Sequence, residues 1–131
     1  MDRFGTVLYC ADIDVTRAFY ECLGFSFVEE RHNDGKGPRH YVCSLGGFVI
    51  ELYRDKNRSP ERRPDEPDTR QRIICNTDRF DDVLQTLQRM ETPLNDVQTL
   101  RDTGLRTVLT LDPDARYVQI FEVENLLPRM N

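Results

Sequence analysis

The sequence predicts an α+β fold built from two β-α-β-β-β modules in tandem. Two observations lead to this prediction. A β-rich stretch, an amphipathic helix and three more β-rich stretches follow one another twice, at a spacing of roughly 65 to 70 residues that is typical of an internal repeat. A charged, proline-containing segment without apolar periodicity separates the two copies. We therefore divide one domain into module one (1–53), a linker (54–70) and module two (71–125).

Module one begins with RFGTVLYC, whose alternation predicts a strand. The next stretch, DVTRAFYECLG, predicts a helix that Asp12 or Asp14 caps and that ends at Gly24. FSFVEER, RHYVCSL and FVIELYR predict three further strands, with the turn NDGKGP after the first and a glycine pair before the last. Helical spacing predicts a buried helix face made of Val15, Ala18, Phe19, Cys22 and Leu23.

Module two repeats this order after the linker. RIICNT predicts a strand, DRFDDVLQTLQRM an amphipathic helix, and LNDVQTLRD, RTVLTLD and YVQIFEV three more strands. The apolar positions predict that this helix buries Phe80, Val83, Leu84 and Leu87.

The composition excludes several classes of protein. A net charge of -5 argues against a nucleic-acid partner. No apolar run approaches the ~20 residues of a membrane span, and the N-terminus lacks the pattern of a secretion signal. We therefore expect a cytoplasmic protein without a membrane partner. The four cysteines lie apart among apolar residues, which predicts neither a disulfide framework nor a structural zinc site.

The stretch GGFVIELYR, residues 46–54, contains a carboxylate in an otherwise apolar strand. Strand alternation places Glu51 on the same face as Val49 and Tyr53, with the more apolar residues on the other face. A carboxylate in this setting is costly to bury unless it is paired. Glu51 is therefore a candidate ligand for a metal ion, a substrate or a cationic side chain, with solvent as the remaining alternative.

Three motifs occur in a recognisable order, namely LYCADIDVTRAFYECLGFSF, GGFVIELYR and DPDARYVQIFEV. Together they resemble the vicinal oxygen chelate superfamily, which includes glyoxalase I, extradiol dioxygenases, fosfomycin-modifying enzymes and bleomycin-resistance proteins. The resemblance implies the glyoxalase/bleomycin resistance fold, in which the modules form a curled mixed sheet around a concave cleft. The helices would cover the convex face, toward which Phe4 and Phe48 at the strand starts would point, together with Leu8, Ile50 and Leu52.

In metal-dependent members of this superfamily, strands of both modules supply four ligands to one ion. The resemblance carries these positions onto Gly5, Glu51, Arg72 and Gln119. Gly5 has no side chain and Arg72 is a permanent cation, so we expect no divalent metal and no other cofactor. If Glu51 and Arg72 share the cleft floor, they can form a charge-assisted pair beside Gln119.

The resemblance implies a cleft that binds a small molecule. Our leading interpretation is a metal-free protein that sequesters a drug, as the bleomycin-resistance proteins do, and that forms a homodimer by pairing or swapping modules. One alternative is a glyoxalase- or dioxygenase-like lyase, isomerase or oxygenase with Glu51 as its best catalytic candidate; another is a structural dimer with an unused cleft. We expect His32 to lie in solvent, and His40 either at an exposed strand end or in the cleft. The candidate ligand-binding residues are Tyr9, His40, Glu51, Tyr53, Arg72, Tyr117, Gln119 and Phe121.

Overall fold

The computed structural model describes residues 4–57 and 68–124, except for the side chains of 68–70. Most of the predicted linker, residues 58–67, therefore lies outside the described residues. Within the described part, neither helix has the length and apolar character that crossing a bilayer requires.

Module one contains four strands and one helix, in the predicted order. The strands form one sheet in the order β1-β4-β3-β2, in which β1 is parallel to β4 and the other pairs are antiparallel. The elements are β1 (Phe4–Cys10), α1 (Ile13–Cys22), β2 (Val28–Glu30), β3 (His40–Leu45) and β4 (Phe48–Arg54).

Module two has the same topology, with the sheet order β5-β8-β7-β6 and β5 parallel to β8. The two sheets confirm the predicted α+β fold of tandem β-α-β-β-β modules. The elements are β5 (Asp68–Thr77), α2 (Phe80–Arg89), β6 (Gln98–Thr99), β7 (Arg106–Leu111) and β8 (Arg116–Glu122).

One edge strand of each sheet, β2 in module one and β6 in module two, is shorter than predicted. β2 spans three residues, and β6 spans two of the predicted LNDVQTLRD stretch, with an isolated bridge between Leu94 and Thr110 before it. β2 and β6 each pair with one strand only, and in the β6 stretch asparagine and aspartate also favour strands weakly. β1 pairs with one strand as well but spans seven residues, so pairing on one side does not by itself shorten a strand.

Helix α1 is capped as predicted, but only part of its predicted face is buried, namely Phe19 and Leu23. The Asp12 carboxylate accepts from the backbone N–H groups of Asp14 at 2.9 Å and Val15 at 3.3 Å, so Asp12 is the N-cap. Val15 is 51% exposed and Ala18 is also exposed, against the prediction. The buried positions of the helix are Ile13, Thr16, Phe19 and Tyr20.

The two modules share one hydrophobic core. Both helices contribute to it, as do strands β1, β3, β4, β5, β7 and β8. Leu8, Ile50 and Leu52 are buried as predicted, whereas Phe4 is 74% exposed and Phe48 is 41% exposed. A ten-residue helix is about 15 Å long, whereas a seven-residue strand is about 23 Å long. Because α1 follows the far end of β1, it leaves the starts of β1 and β4 uncovered.

A buried polar network joins the modules through the turn between β7 and β8. The Tyr20 hydroxyl donates to Asp112 at 2.7 Å, and the Arg116 guanidinium donates to Asp112 at 3.0 Å and to the backbone carbonyl of Tyr9. Asp114 accepts from the Thr16 hydroxyl at 3.1 Å. Burial raises the pKa of Tyr20 well above its ordinary value, so its hydroxyl stays a donor. This network explains why Thr16 and Tyr20 of α1 face inward together with the apolar Ile13 and Phe19.

Candidate functional site

The predicted site residues separate into two groups, one on each sheet. The module-one group consists of Tyr9, His40, Glu51 and Tyr53, and the module-two group consists of Arg72, Tyr117, Gln119 and Phe121. Each group lies on the sheet face opposite the shared core, on strands whose alternate residues are buried. The predicted faces are therefore correct within each module.

The module-one group is centred on His40. This residue opens β3 and is fully buried, so the expectation of an exposed strand end is wrong. Its ring stacks on Tyr53 with centroids 4.3 Å apart and an interplanar angle of 11°. Its Nε2 atom lies 3.7 Å from the Glu51 carboxylate, and Tyr9 pairs with Tyr53 between β1 and β4.

The His40 ring is oriented by one hydrogen bond. Its Nδ1 atom lies 3.2 Å from the backbone carbonyl of Pro38. A carbonyl only accepts, so Nδ1 carries the proton, and in the neutral ring Nε2 bears a lone pair. Among the described groups, buried Nε2 has no hydrogen-bond partner. An unsatisfied buried polar atom costs about 1–3 kcal/mol, so this atom needs an explanation.

Beside this group lies a cavity of about 550 Å³, lined in part by Tyr9 and Tyr53. Asp14 and Arg39 line the same cavity and form a two-point ion pair, with distances of 3.2 and 3.0 Å. Hydrogen bonds from Arg39 and Tyr41 hold the pKa of Asp14 below its usual value. Burial, with a smaller effect of the Glu51 carboxylate, raises the pKa of Tyr53. The cavity thus combines phenol rings with groups of both charges.

The module-two group is held together by Arg72. Its guanidinium donates to the Gln119 side-chain oxygen at 2.9 Å and lies 5.9 Å from the centre of the Tyr117 ring. Gln119 donates in turn to the Thr107 hydroxyl at 3.2 Å. The arrangement presents guanidinium N–H groups beside an aromatic face, which suits an anionic or carbonyl-bearing ligand.

The two groups do not meet within one chain. In the described residues no hydrogen bond or ion pair joins Glu51 to Arg72, so the conditional prediction of that pair is not met. A second cavity, of about 500 Å³, is lined by Arg72 and Ile74, and from module one by Ile50 among others. Ile50 faces away from Glu51 in β4. Strand alternation predicts which residues share one face of a sheet. It does not predict the orientation of one sheet relative to the other.

Two residues near His40 were missed by the sequence prediction, namely Glu30 and His32. The ligand atoms of Glu30, His32 and His40 all lie within 4.8 Å of one another. Glu30 is paired with His40 across β2 and β3, and His32 follows two residues after Glu30. In ERH a single residue separates Glu30 from His32. Because alternate side chains of an extended chain point to the same side, this spacing could have indicated that Glu30 and His32 lie on one face.

Comparison with protein families decides the identity of the fold. The model of the glyoxalase/bleomycin resistance protein/dioxygenase superfamily matches residues 3–119. The chain belongs to this superfamily. A comparison with curated protein sequences finds no match.

Solved structures of this superfamily's fold include a glyoxalase family protein from Enterococcus faecalis, at 19% identity over 92% of this chain and 97% of that chain, with a TM-score of 0.63. A bleomycin resistance determinant encoded on the transposon Tn5 has 17% identity over 95% and 100%, with a TM-score of 0.60. Lactoylglutathione lyase from Agrobacterium tumefaciens has 20% identity over 91% of each chain, with a TM-score of 0.59. At these identities the similarity shows a shared fold.

The four positions that hold metal in metalloenzymes of the superfamily do not fit an ion in this chain. A Cβ atom at Gly5 would lie 2.5 Å from the Val49 carbonyl oxygen, so the first position cannot carry a ligating side chain without backbone movement. The third position is Arg72 and the fourth is Gln119. The Arg72 guanidinium donates a hydrogen bond to the side-chain oxygen of Gln119, the atom that would otherwise bind an ion. Only Glu51 remains a competent ligand at these positions.

Proposed function

We propose that the protein is a homodimer that binds a small organic molecule in a cleft between module one of one chain and module two of the other. It would hold this molecule without changing it, as an antibiotic-sequestering protein of the cytoplasm, and without a metal at the four superfamily positions. The observation that carries the proposal is that the two groups lie on corresponding faces of two equivalent sheets, yet do not meet within one chain.

The exposed apolar side chains near these groups support the dimer. On the site faces of β1 and β5, Val7 is 39%, Tyr9 is 53% and Ile74 is 61% exposed. Large exposed apolar side chains on one face favour an interface or a ligand site. A two-fold dimer would place module one of each chain beside module two of its partner, and would so form two equivalent clefts.

The chemistry of the two groups limits the ligand. Tyr9 and Tyr53 supply aromatic surface, and Asp14 and Arg39, which are paired with each other, supply one charge of each sign in the same cavity. The module-two group adds the cation of Arg72. We therefore expect a ligand with an aromatic part and with polar groups of both kinds. Bleomycin is a suitable first probe, because a bleomycin resistance determinant shares the fold.

A thermal-shift titration with metal-free bleomycin tests this proposal. A ligand at 100 times its Kd stabilises the folded state by about 2.7 kcal/mol, and we expect Tm to rise by roughly 10 °C. Tyr53→Ala should weaken binding about tenfold or more, because it removes an aromatic wall. The control Val15→Ala, on the exposed side of α1, should bind normally. No shift in the wild type, or equal binding by Tyr53→Ala, would contradict the proposal.

A second candidate function is favoured by the short distance between Glu51 and His40. A carboxylate 3.7 Å from an imidazole nitrogen could act as a general base on a bound substrate. S-lactoylglutathione is the appropriate probe, because a lactoylglutathione lyase shares the fold. Its turnover by the wild type, lost in Glu51→Gln with binding retained, would establish an enzyme in place of a sequestering protein.

A further inference from the structure

We propose that Glu30, His32 and His40 form a binding site for a divalent transition-metal ion, with Zn²⁺ as the expected occupant and Glu51 as a fourth ligand. Apart from Glu51, this site uses none of the four superfamily positions. It lies entirely within module one, and three of its residues come from β2, β3 and the segment that joins them. It departs from the expectation of no metal cofactor, which rested on the superfamily positions alone.

The distances suit a single ion. The Glu30 carboxylate oxygen lies 3.4 Å from His32 Nε2 and 3.9 Å from His40 Nε2, and the Glu51 oxygen lies 3.7 Å from His40 Nε2. Ligands bound to zinc at 2.0–2.1 Å in tetrahedral geometry are about 3.3 Å apart. These three separations exceed this value by about 0.1 to 0.6 Å, and the ligand atoms of His32 and His40 lie within 4.8 Å of each other. Rotation of the exposed His32 side chain is therefore needed to close the site around an ion.

The buried Nε2 atom of His40 points to the ligand. In the neutral ring its lone pair is buried, lacks a hydrogen-bond partner among the described groups, and has carboxylate oxygens of Glu30 and Glu51 as its neighbours. A lone pair beside two carboxylates is unfavourable, and either a proton or a metal ion at Nε2 relieves it. Metal titration distinguishes the two. The bond from Nδ1 to the Pro38 carbonyl is also the contact that commonly orients a metal-bound histidine.

The donor set selects the class of metal. Two imidazole nitrogens with one or two carboxylates favour Zn²⁺, Co²⁺ or Ni²⁺, whereas Mg²⁺ and Ca²⁺ prefer oxygen ligands alone. Glu30 and His40 are held by paired strands. His32 is exposed, but its backbone is fixed by a 2.8 Å hydrogen bond from Gly37 N–H to its carbonyl. The exposed ring can therefore turn toward the ion while its backbone stays in place.

Metal titration of the full chain, purified without a histidine tag and stripped with EDTA, tests the site. We expect one Co²⁺ per chain, with the intense visible absorption of a four-coordinate ion, and displacement of Co²⁺ by Zn²⁺. Loss of a residue that hydrogen-bonds to a metal ligand typically lowers metal affinity 10–100-fold. His32→Ala and Glu30→Gln each remove a ligand itself, so each should weaken Co²⁺ binding by at least about 100-fold. Both residues are partly exposed, so these variants should fold.

Two controls make the result specific. Glu29→Gln changes the neighbouring residue of β2, and Cys22→Ser removes a partly exposed thiol; both should bind Co²⁺ as the wild type does. Failure of the wild type to bind Co²⁺, binding that survives His32→Ala and Glu30→Gln, or binding that is lost in Cys22→Ser would each overturn the proposal. Because the probe is the metal alone, the result is independent of bleomycin binding.

Discussion

Arg116→Met is expected to lower the free energy of unfolding by about 3–5 kcal/mol. Arg116 is 4% exposed and Asp112 is fully buried, with 3.0 Å between the guanidinium and the carboxylate. Removing the cation leaves a buried carboxylate with only neutral donors, among them the Tyr20 hydroxyl. The same change also removes the bond to the Tyr9 carbonyl, one of the contacts between the modules. Urea unfolding monitored by circular dichroism measures the loss.

Two further variants separate charge burial from lost packing. Adding Asp112→Asn to Arg116→Met removes the unpaired charge, and the double variant should recover part of the stability. Arg106→Met is the matched control, because Arg106 pairs with Glu122 and Asp81 in a partly exposed position where ion pairs contribute about 1 kcal/mol or less. A loss below about 1 kcal/mol in Arg116→Met, or a double variant less stable than the single one, would contradict this role of the network.

The single variant Phe19→Ala is expected to lower the free energy of unfolding by about 3–5 kcal/mol. Phe19 is fully buried in α1, and its ring meets the Tyr20 ring edge-on at 5.1 Å. Val15→Ala in the same helix should stay within about 0.5 kcal/mol of the wild type, because Val15 faces solvent. Urea unfolding of the two variants distinguishes the observed helix face from the predicted one. Comparable losses would show that Val15 is buried in solution.

Much of the fold could be predicted because local patterns determine it. Alternation identified the inner strands and their buried faces, as at Leu52 and Ile120, and a carboxylate before the apolar spacing identified the start of α1. The buried face of α1 was predicted only in part: Phe19 is buried as expected, whereas Thr16 and Tyr20 were not expected to be buried because they are polar. They are buried since Asp114 and Asp112, about a hundred residues away along the chain, accept their hydrogen bonds. No local pattern contains that information.

The candidate site was predictable only within each module. Pairing between strands brings His40, Glu51 and Tyr53 together, and separately brings Arg72 to Gln119. Whether Glu51 meets Arg72 depends on how the sheets are oriented and on the partner chain, which residue spacing does not encode. The segment from β2 to β3 also contacts His40, through the His32 ring at 5.0 Å and the Pro38 carbonyl at 3.2 Å. That these residues bind a ligand stays a prediction.

Bleomycin binding to mixed dimers is the most direct test of a cleft shared between chains. Tyr53→Ala alters module one and Tyr117→Ala alters module two, so each variant alone should bind poorly. When equal amounts are unfolded and refolded together, half of the dimers contain one chain of each kind, and each of these has one unaltered cleft. Equilibrium dialysis should therefore recover about a quarter of the wild-type sites at wild-type affinity. If the mixture binds no better than the separate variants, the cleft is not shared between chains.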